Sequence, residues 1–197
     1  MTKAVKAILF DADGVVIKKR DHFFSVRFAE KYGVRPEDQL PFFKEDMRSA
    51  FVGKADLRES LKKYLPKWNW KGTADEYLAY WFGEESPRDE AVIAYIDELR
   101  GSGIKCYLAT DREPLWGEYL KNEVGLAKHL DGFCYSYMFG HEKSEPEFFA
   151  GVQKMLGVAV EDLMYWDDDQ KNVDVAKSVG IDARFFTNLN DLKAAYV

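Results

Sequence analysis

Five short, almost uninterrupted apolar runs constrain the fold of this chain more than any other feature of its sequence. They span residues 5–10, 104–109, 132–135, 163–166 and 181–186. An unbroken apolar run of this length is typical of a strand buried on both faces, as in a parallel sheet. Helix-length segments at 115–123, 146–156 and 172–179 separate the later runs, and Gly103 and Gly180 stand where helices should end. This alternation predicts an α/β fold, a Rossmann-like doubly wound parallel sheet with helices on both faces.

One long interval interrupts the alternation. Between about residues 18 and 86 only segments with helical spacing occur, at 23–32, 36–51, 57–65 and 74–82. Roughly 65 residues are too many for a simple loop, so we predict a small helical insertion above the carboxyl end of the first strand. The expected division is a core of residues 1–17 and 87–197 with a helical cap at 18–86. Many aromatic residues are concentrated in this predicted cap, and we expect them to form its hydrophobic core rather than a platform on which nucleic-acid bases stack.

Composition and charge narrow the possible partners. The chain has 28 Lys and Arg against 34 Asp and Glu, a net charge of −6, which disfavours nucleic-acid binding. No apolar run approaches the roughly 20 residues that span a bilayer, so no membrane partner is expected. Cys106 and Cys134 form no CxxC motif and are predicted to be buried free thiols. With few cysteines and no signal-peptide pattern, a cytoplasmic location is expected.

Acidic residues follow two of the predicted strands. Asp11 and Asp13 follow the first apolar run, and Gly14 behind them permits a tight turn whose amides could receive an anion. In extended chain these two acids would point the same way and repel each other unless a cation lay between them or one stayed protonated. Asp167 and Asp168 follow the fourth run. A polar turn explains either pair alone, but carboxylates converging from neighbouring strands suit a hard cation such as Mg²⁺.

Two further residues complete a possible site. Thr110 ends the second predicted strand with a hydroxyl, and Lys143 precedes a predicted helix. Taken alone, Thr110 could be a turn or cap residue, Lys143 a surface lysine and Asp169 a helix cap. Together with the acidic pairs they indicate a site for an anion bound to Mg²⁺, with a carboxylate free to attack a phosphate. The 3 histidines lie far apart without ligand spacing, so zinc is not expected.

With these residues in this order, the chain resembles the haloacid dehalogenase-like (HAD) hydrolase superfamily, in the branch whose helical cap follows the first strand. Four motifs carry the resemblance between residues 5 and 186: Asp-Ala-Asp-Gly-Val at 11–15, Thr110, Lys-Ser-Glu-Pro-Glu-Phe-Phe at 143–149 and Asp-Asp-Asp-Gln-Lys-Asn at 167–172. Two residues depart from the family pattern. Ser144 stands where proline is usual, and Asp111 follows Thr110 where asparagine is common. Both departures could alter how a substrate is held.

The resemblance implies a Mg²⁺-dependent phosphatase that hydrolyses a small-molecule phosphorylated substrate, a phosphomonoester, through an aspartyl-phosphate. In this interpretation Asp11 is the nucleophile, and Asp13 protonates the leaving oxygen and then activates the hydrolytic water. Thr110 and Lys143 hold the phosphoryl oxygens. The implied metal ligands are Asp11, the backbone carbonyl of Asp13 and Asp168, with Asp167 supporting the ion directly or through water. The oligomeric state stays open.

Other functions remain possible at this point. A carbon–halogen dehalogenase typically lacks an acid two residues after the nucleophile, so Asp13 argues against it. A phosphosugar mutase shares all four motifs, and His22 lies one residue out of register with the histidine of such mutases, although a cap histidine without chemistry is simpler. A catalytically silent phospho-ligand-binding module would keep the same fold. The charge run at Lys18, Lys19 and Arg20 could meet a second anionic group, although a solvated run is simpler.

Overall fold

Five parallel strands form the centre of the molecule, at the positions that the apolar runs predict. The computed structural model describes residues 5–195, so residues 1–4 and 196–197 of the predicted core lie outside the described residues. The strands are β1 (Ala7–Phe10), β2 (Lys105–Thr110), β3 (Gly132–Tyr135), β4 (Leu163–Asp167) and β5 (Asp182–Phe185). They lie in the order β3-β2-β1-β4-β5, and every pairing is parallel.

Helices fill the chain between and after the strands. Those between β1 and β2 are α1 (Phe24–Tyr32), α2 (Pro36–Pro41), α3 (Met47–Phe51), α4 (Leu57–Lys62), α5 (Ala74–Glu85) and α6 (Glu90–Gly101). The later ones are α7 (Pro114–Asn122), α8 (Ser136–Phe139), α9 (Pro146–Leu156), α10 (Gln170–Ser178) and α11 (Leu189–Ala194). Helices α7, α9 and α10 match the predicted segments closely. Helix α11 has no predicted counterpart, and Gly103 anticipates only the end of α6.

Helices cover both faces of the sheet because strand side chains alternate between two buried faces. Ile8 and Phe10 pack in one hydrophobic cluster with residues of α6 and α7, whereas Ala7 and Leu9 pack in another with residues of α9 and α10. The adjacent strands β1 and β4 are therefore followed by core helices on opposite faces. Ligands of open α/β sheets bind at such a point, outside the carboxyl ends of the strands. The predicted doubly wound parallel sheet is confirmed.

Between residues 24 and 85, which we call the helical segment, the described chain forms helices and turns without strands. Helices α1, α4 and α5 correspond to predicted segments, but a π-helical turn at Phe42–Asp46 interrupts the helix predicted at 36–51. Pro41 precedes this turn and has no N–H to donate within a helix. The Met47 N–H donates to the Phe42 carbonyl, five residues back, which is the π-helical pattern.

The two connections between the core and the helical segment run side by side. Ile17 forms an isolated antiparallel bridge with Arg88. The Lys18 N–H donates to the Pro87 carbonyl at 2.8 Å, and the Asp89 N–H donates to the Val16 carbonyl at 2.8 Å. The chain therefore enters and leaves the helical segment through two adjacent stretches that are hydrogen-bonded to each other. The division at 17/18 and 86/87 stays a prediction.

Aromatic side chains form the core of the helical segment, as predicted. Trp68 and Tyr77 are fully buried, together with Phe28 and Phe42. The ring centroids of Phe28 and Tyr77 lie 5.1 Å apart and those of Phe42 and Trp68 5.4 Å apart, both in edge-to-face geometry. A base-stacking platform would need such rings exposed to solvent, and these are not.

Two minor predictions concern the cysteines and the membrane. Cys106 in β2 and Cys134 in β3 are buried free thiols, as predicted. Burial raises the pKa of both thiols to about 12, so neither is a reactive thiolate at neutral pH. Within residues 5–195, no helix is both long and apolar enough to cross a bilayer.

We expect Trp68→Ala to lower the free energy of unfolding by about 3–5 kcal/mol, because it removes a buried aromatic ring and leaves a cavity. Urea denaturation followed by circular dichroism measures the loss. Trp70→Ala is the matched control, since the Trp70 side chain is partly exposed in the same segment and should cost clearly less. Equal losses in the two variants would contradict a core centred on Trp68.

Candidate active site

Three acids meet where β1 and β4 end. The Asp11 N–H donates to the Trp166 carbonyl at 2.9 Å, so strand-like pairing continues up to the first acid. Asp167 is the last residue of β4, and Asp168 follows it. Because β1 and β4 are adjacent and parallel, their carboxyl ends lie at the same edge of the sheet. One carboxylate oxygen from each of Asp11, Asp167 and Asp168 lies within 4.8 Å of the others, which brings together three predicted site residues.

Lys143 lies between two of these acids. Its Nζ is 2.5 Å from Asp11 Oδ1 and 2.8 Å from Asp167 Oδ2, and its side chain is buried. The prediction grouped Lys143 with the strand ends, but α8 and a loop separate it from β3. Asp111 holds this loop, because its Oδ1 accepts the Lys143 backbone N–H at 2.9 Å. Asp111, which departs from the family pattern, therefore positions the lysine.

The shared ammonium leaves the buried cluster with excess negative charge. Burial raises the pKa of Asp11 to about 8, and Asp167 and Asp13 add to the shift while Lys143 opposes it. Burial would also raise the pKa of Asp167, but the Lys143 ammonium and its hydrogen bond lower it below its usual value. One cation thus serves two buried carboxylates, and an additional cation would relieve the remaining repulsion.

Asp167 is held more tightly than its neighbours. Besides the lysine contact, its Oδ2 accepts hydrogen bonds from the Tyr165 hydroxyl and from Asn172 Nδ2, the latter at 3.1 Å. Its Oδ1 accepts the Asp169 N–H at 2.7 Å. Asp169 also caps α10 by accepting the Lys171 N–H, as predicted. With these partners on both oxygens, Asp167 is suited to hold the cluster in place.

Asp168 has a more open environment and packs on Gly14. Asp168 is partly exposed, and its Oδ2 accepts a hydrogen bond from Lys19 Nζ at 3.0 Å. Gly14 has a φ of 79°, and a Cβ at this position would lie 2.3 Å from Asp168 Oδ2. The turn needs glycine both for its backbone conformation and for the close approach of the acid. The Gly14 N–H donates to the Ile17 carbonyl at 2.8 Å, so this amide is engaged within the turn, and the expected role of the turn amides in receiving an anion stays a prediction.

Asp13 has different partners from Asp11. β1 ends at Phe10 and a turn follows, so the strand alternation expected for the two acids does not apply. Arg112 Nη2 donates to Asp13 Oδ2, and Arg20 Nη2 lies 3.3 Å from Asp13 Oδ1. Burial acts to raise the pKa of Asp13, but the two guanidinium groups lower it below its usual value. The two acids therefore do not share a single cation.

Arg20 corrects the expectation of a solvated charge run at residues 18–20. Its side chain is 12% exposed, and its Nη2 lies 2.9 Å from Glu85 Oε2. Glu85, at the end of α5, is itself buried and accepts the Phe24 N–H at 2.5 Å. The three residues of the run have different surroundings. Lys18 is exposed, the Lys19 ammonium contacts Asp168, and Arg20 joins Asp13 to the helical segment.

Arg112 is a site residue that the sequence reasoning missed. It lies on the loop after β2, two residues beyond Thr110, and is buried. Its guanidinium carbon lies 4.1 Å from the Trp116 ring centroid, a cation–π contact. In the sequence, its position directly after Thr110 and Asp111 is the feature that could have indicated a place in the site. Burial of an arginine on a loop, however, depends on Trp116 and Asp13 packing around it.

Thr110 and His22 lie in contrasting environments. Thr110 is the last residue of β2 and is buried. In the register of β1 and β2, Phe10 is opposite Leu108, so Thr110 is level with the turn that follows Asp11. His22 is exposed in the connection that leads to α1.

We expect Gly14→Ala to weaken Mg²⁺ binding by about tenfold or more, because the added Cβ displaces the Asp168 carboxylate. Isothermal titration calorimetry with MgCl₂ measures the affinity. Gly33→Ala is the matched control, since Gly33 also has positive φ but its Cβ would meet nothing within 4 Å. Both variants should lose about 1–2 kcal/mol of stability from backbone strain. Equal Mg²⁺ affinities in the two variants would contradict the placement of Asp168.

We expect Asp11→Asn to stabilise the metal-free protein at pH 8 relative to pH 5. The folded-state pKa of Asp11, about 8, exceeds the ordinary 3.8, so the folded state binds more protons between these values. The free energy of unfolding therefore falls as the pH rises through this range, and the variant escapes the loss. Urea denaturation in EDTA at both pH values measures this difference, with Asp174→Asn on the exposed face of α10 as control. A variant that gains nothing between the two pH values would contradict the raised pKa.

Comparison with known proteins places this site in a family. A family model described as haloacid dehalogenase-like hydrolase matches residues 5–180. A phosphorylated carbohydrates phosphatase from Thermotoga maritima is 28% identical over 203 residues, covering 96% of this chain and 89% of that protein. A D-ribitol-5-phosphate phosphatase from Bacteroides thetaiotaomicron is 26% identical over 191 residues, covering 90% of each.

A solved structure supports the same fold. A HAD family enzyme from Bacteroides thetaiotaomicron, in complex with magnesium and inorganic phosphate, has a TM-score of 0.81 at 19% identity. The match covers 98% of this chain and 100% of that one. The predicted enzyme class, a phosphoric monoester hydrolase, agrees with the names of both relatives. Because the family model spans most of its length, the chain belongs to the haloacid dehalogenase-like hydrolase family.

Proposed function

We propose that this protein is a magnesium-dependent phosphatase that hydrolyses a small-molecule phosphomonoester through an aspartyl-phosphate on Asp11. The observation that carries the proposal is the convergence of Asp11, Asp167 and Asp168 beside the buried Lys143 ammonium. Two relatives named as phosphatases support the reaction class. A structural neighbour in complex with magnesium and phosphate supports the cofactor.

The acidic cluster fits a magnesium ion. Its donors are carboxylate oxygens, which hard divalent cations prefer, and burial together with the charge of Asp167 raises the pKa of Asp11. Asp11, Asp168 and the backbone carbonyl of Asp13 would hold the ion. Asp167, whose oxygens already accept several hydrogen bonds, would support it. Bound Mg²⁺ would supply the positive charge that lets a phosphate approach these carboxylates.

The remaining groups divide the two chemical steps between them. The Asp11 carboxylate attacks phosphorus and the bond to the leaving oxygen breaks, while Asp13, which would take up a proton when the substrate binds, delivers that proton to the leaving oxygen. Asp13 then takes a proton from the water that hydrolyses the acyl phosphate. Arg112 and Arg20 hold Asp13 ionised in the free protein, and the negative charge of a bound phosphate would raise its pKa again.

Lys143 and Thr110 would bind the phosphoryl oxygens. The Lys143 ammonium already lies 2.5 Å from the Asp11 carboxylate, so a phosphoryl group on Asp11 would form within its reach. Thr110 ends β2 at the same edge of the sheet. Asp111 would hold the lysine loop through its backbone hydrogen bond.

Residues 18–86 would act as a cap that excludes bulk water and selects the substrate. The paired connections at Ile17–Arg88 and Lys18–Pro87 support a boundary at these positions. Arg48 on α3 supports a closed arrangement, because its Nε and Nη2 donate to Glu142 at 3.0 and 2.6 Å. Glu142 directly precedes Lys143, so this contact joins the helical segment to the loop of the proposed phosphate ligand.

No observation favours the alternatives over a phosphatase. The exposed His22 gives no support to a mutase, and an acid at position 13 held by two arginines argues against a dehalogenase. A silent binding module would not require this arrangement of groups. The cytoplasmic location and the expected lack of nucleic-acid and membrane partners stay predictions.

Phosphate release from p-nitrophenyl phosphate tests the proposal. We expect release that requires Mg²⁺, stops with EDTA and falls by about 10³-fold or more in Asp11→Asn, because this variant removes the nucleophile. Asp174→Asn, an exposed acid on α10, should leave the rate unchanged. Full activity of Asp11→Asn, or release in EDTA, would contradict the proposal. Isomerisation of a hexose phosphate that depends on a bisphosphate would indicate a mutase instead.

A further inference from the structure

A cavity of about 340 Å³ opens beside Asp13, between the helical segment and the loop after β2. Most of its wall is apolar and comes from several elements. The apolar residues that define this wall include Phe23, Phe43, Met47, Phe51, Trp81 and Trp116. Rings from Phe23 and the helical segment thus line one space together with a ring from α7, and Asp13 lines it as well.

Most polar groups of the cavity are already hydrogen-bonded to one another, although Arg20 Nε and Arg112 Nε have no partner among the described residues. Arg20 donates to the Glu85 carbonyl and lies 2.9 Å from Glu85 Oε2 and 3.3 Å from Asp13 Oδ1. Arg112 donates to Asp13 and, at 2.7 Å, to the Asp111 carbonyl. Two cations and two acids therefore balance at the Asp13 end. Apart from the indoles, Ser25 is the one uncharged polar side chain among the lining residues that the structure describes.

Phe23 gives the opening of the cavity an exposed aromatic ring. Its side chain is 72% exposed, whereas the adjacent Phe24 is buried in the core of the helical segment. Phe23 is also the N-cap residue of α1, where it provides no side-chain hydrogen bond to the helix. An exposed ring at the rim of an apolar cavity is the arrangement expected of a binding surface. Neither packing in the hydrophobic core nor capping of α1 therefore explains a phenylalanine at this position.

The position of the cavity assigns it to one part of a phosphomonoester. In the proposed mechanism the phosphoryl group lies between Asp11 and Lys143, and Asp13 protonates the oxygen that leaves. The alcohol that departs must therefore extend past Asp13, and that side chain lines the cavity. The walls of this cavity then determine which alcohols fit.

We infer that this cavity binds the alcohol part of the substrate and selects alcohols that carry a flat, mainly apolar ring. The inference rests on the proposed phosphatase function and names its substrate class. Aromatic walls favour a ring through stacking and edge contacts. A polyol would lose water from several hydroxyls and find few free partners, because among the described charged groups near Asp13 only Arg20 Nε and Arg112 Nε lack a hydrogen-bond partner. The substrate class would differ from the polyol phosphate named for one relative.

Three esters of primary alcohols test this inference without a difference in leaving-group chemistry. We expect kcat/KM for 2-phenylethyl phosphate to exceed that for ethyl phosphate by about 10- to 100-fold, because only the first fills the cavity. D-ribitol 5-phosphate should be no better than ethyl phosphate. Phosphate release with saturating Mg²⁺ measures all three.

Two variants locate the preference in the cavity. Phe23→Ser removes the rim ring and supplies a favourable N-cap to α1, so the helix should remain folded. Met47→Gln keeps the side-chain volume but adds an amide to the wall. Each should lower the ratio of kcat/KM for 2-phenylethyl phosphate to that for ethyl phosphate by about 3- to 10-fold. Met155→Gln, exposed on α9 and outside the cavity, is the matched control.

The possible failures are distinguishable. Faster hydrolysis of D-ribitol 5-phosphate than of 2-phenylethyl phosphate would overturn this inference and leave the phosphatase function standing. A ring preference that survives in both Phe23→Ser and Met47→Gln, with folding verified by circular dichroism, would also overturn it. No release from any of the three esters would overturn the proposed function and this inference with it.

Discussion

The Lys143 ammonium, shared by two buried carboxylates, is the interaction on which the rest of the site depends. It lies 2.5 Å from Asp11 and 2.8 Å from Asp167, which come from adjacent strands. Without this cation, two acids at one buried sheet edge would repel each other or take up protons. A single positive charge offsets only part of the cost of burial and of that repulsion, as the raised pKa of Asp11 indicates. The same imbalance makes the cluster suited to a divalent cation.

The turn after β1 gives two nearby acids opposite electrostatic environments. Asp11 is buried beside other carboxylates and has a raised pKa, whereas Asp13 is held by Arg112 and Arg20 and has a lowered one. Gly14 permits this turn and at the same time leaves room for Asp168. Pairs of titratable groups whose environments separate their pKa values are suited to different chemical roles. Gly14 thus shapes the turn that carries Asp11 and Asp13 and also makes room for Asp168 in the acidic cluster.

The helical segment is connected to the chemistry through Arg20. This guanidinium contacts Asp13 in the core and Glu85 at the end of α5, and Glu85 in turn accepts the N–H of Phe24 at the start of α1. The proposed acid–base residue and the aromatic cavity are therefore parts of one hydrogen-bonded arrangement. A substitution that moves Glu85 or Arg20 in the proposed substrate pocket would therefore also change the hydrogen bonding of Asp13.

The sequence by itself determined the sheet, because short apolar runs and their spacing depend on local burial patterns, and all five strands lie where those runs predict. It also identified Asp11, Asp167 and Asp168 as neighbours, since parallel strands bring their carboxyl ends to one edge. The burial of Arg112 and Arg20 around Asp13 could not be predicted, because an arginine on a loop resembles any solvated charge until its partners are known. The aromatic cavity was likewise decided by tertiary structure. It depends on contacts between segments that are distant in the chain, which no local pattern records.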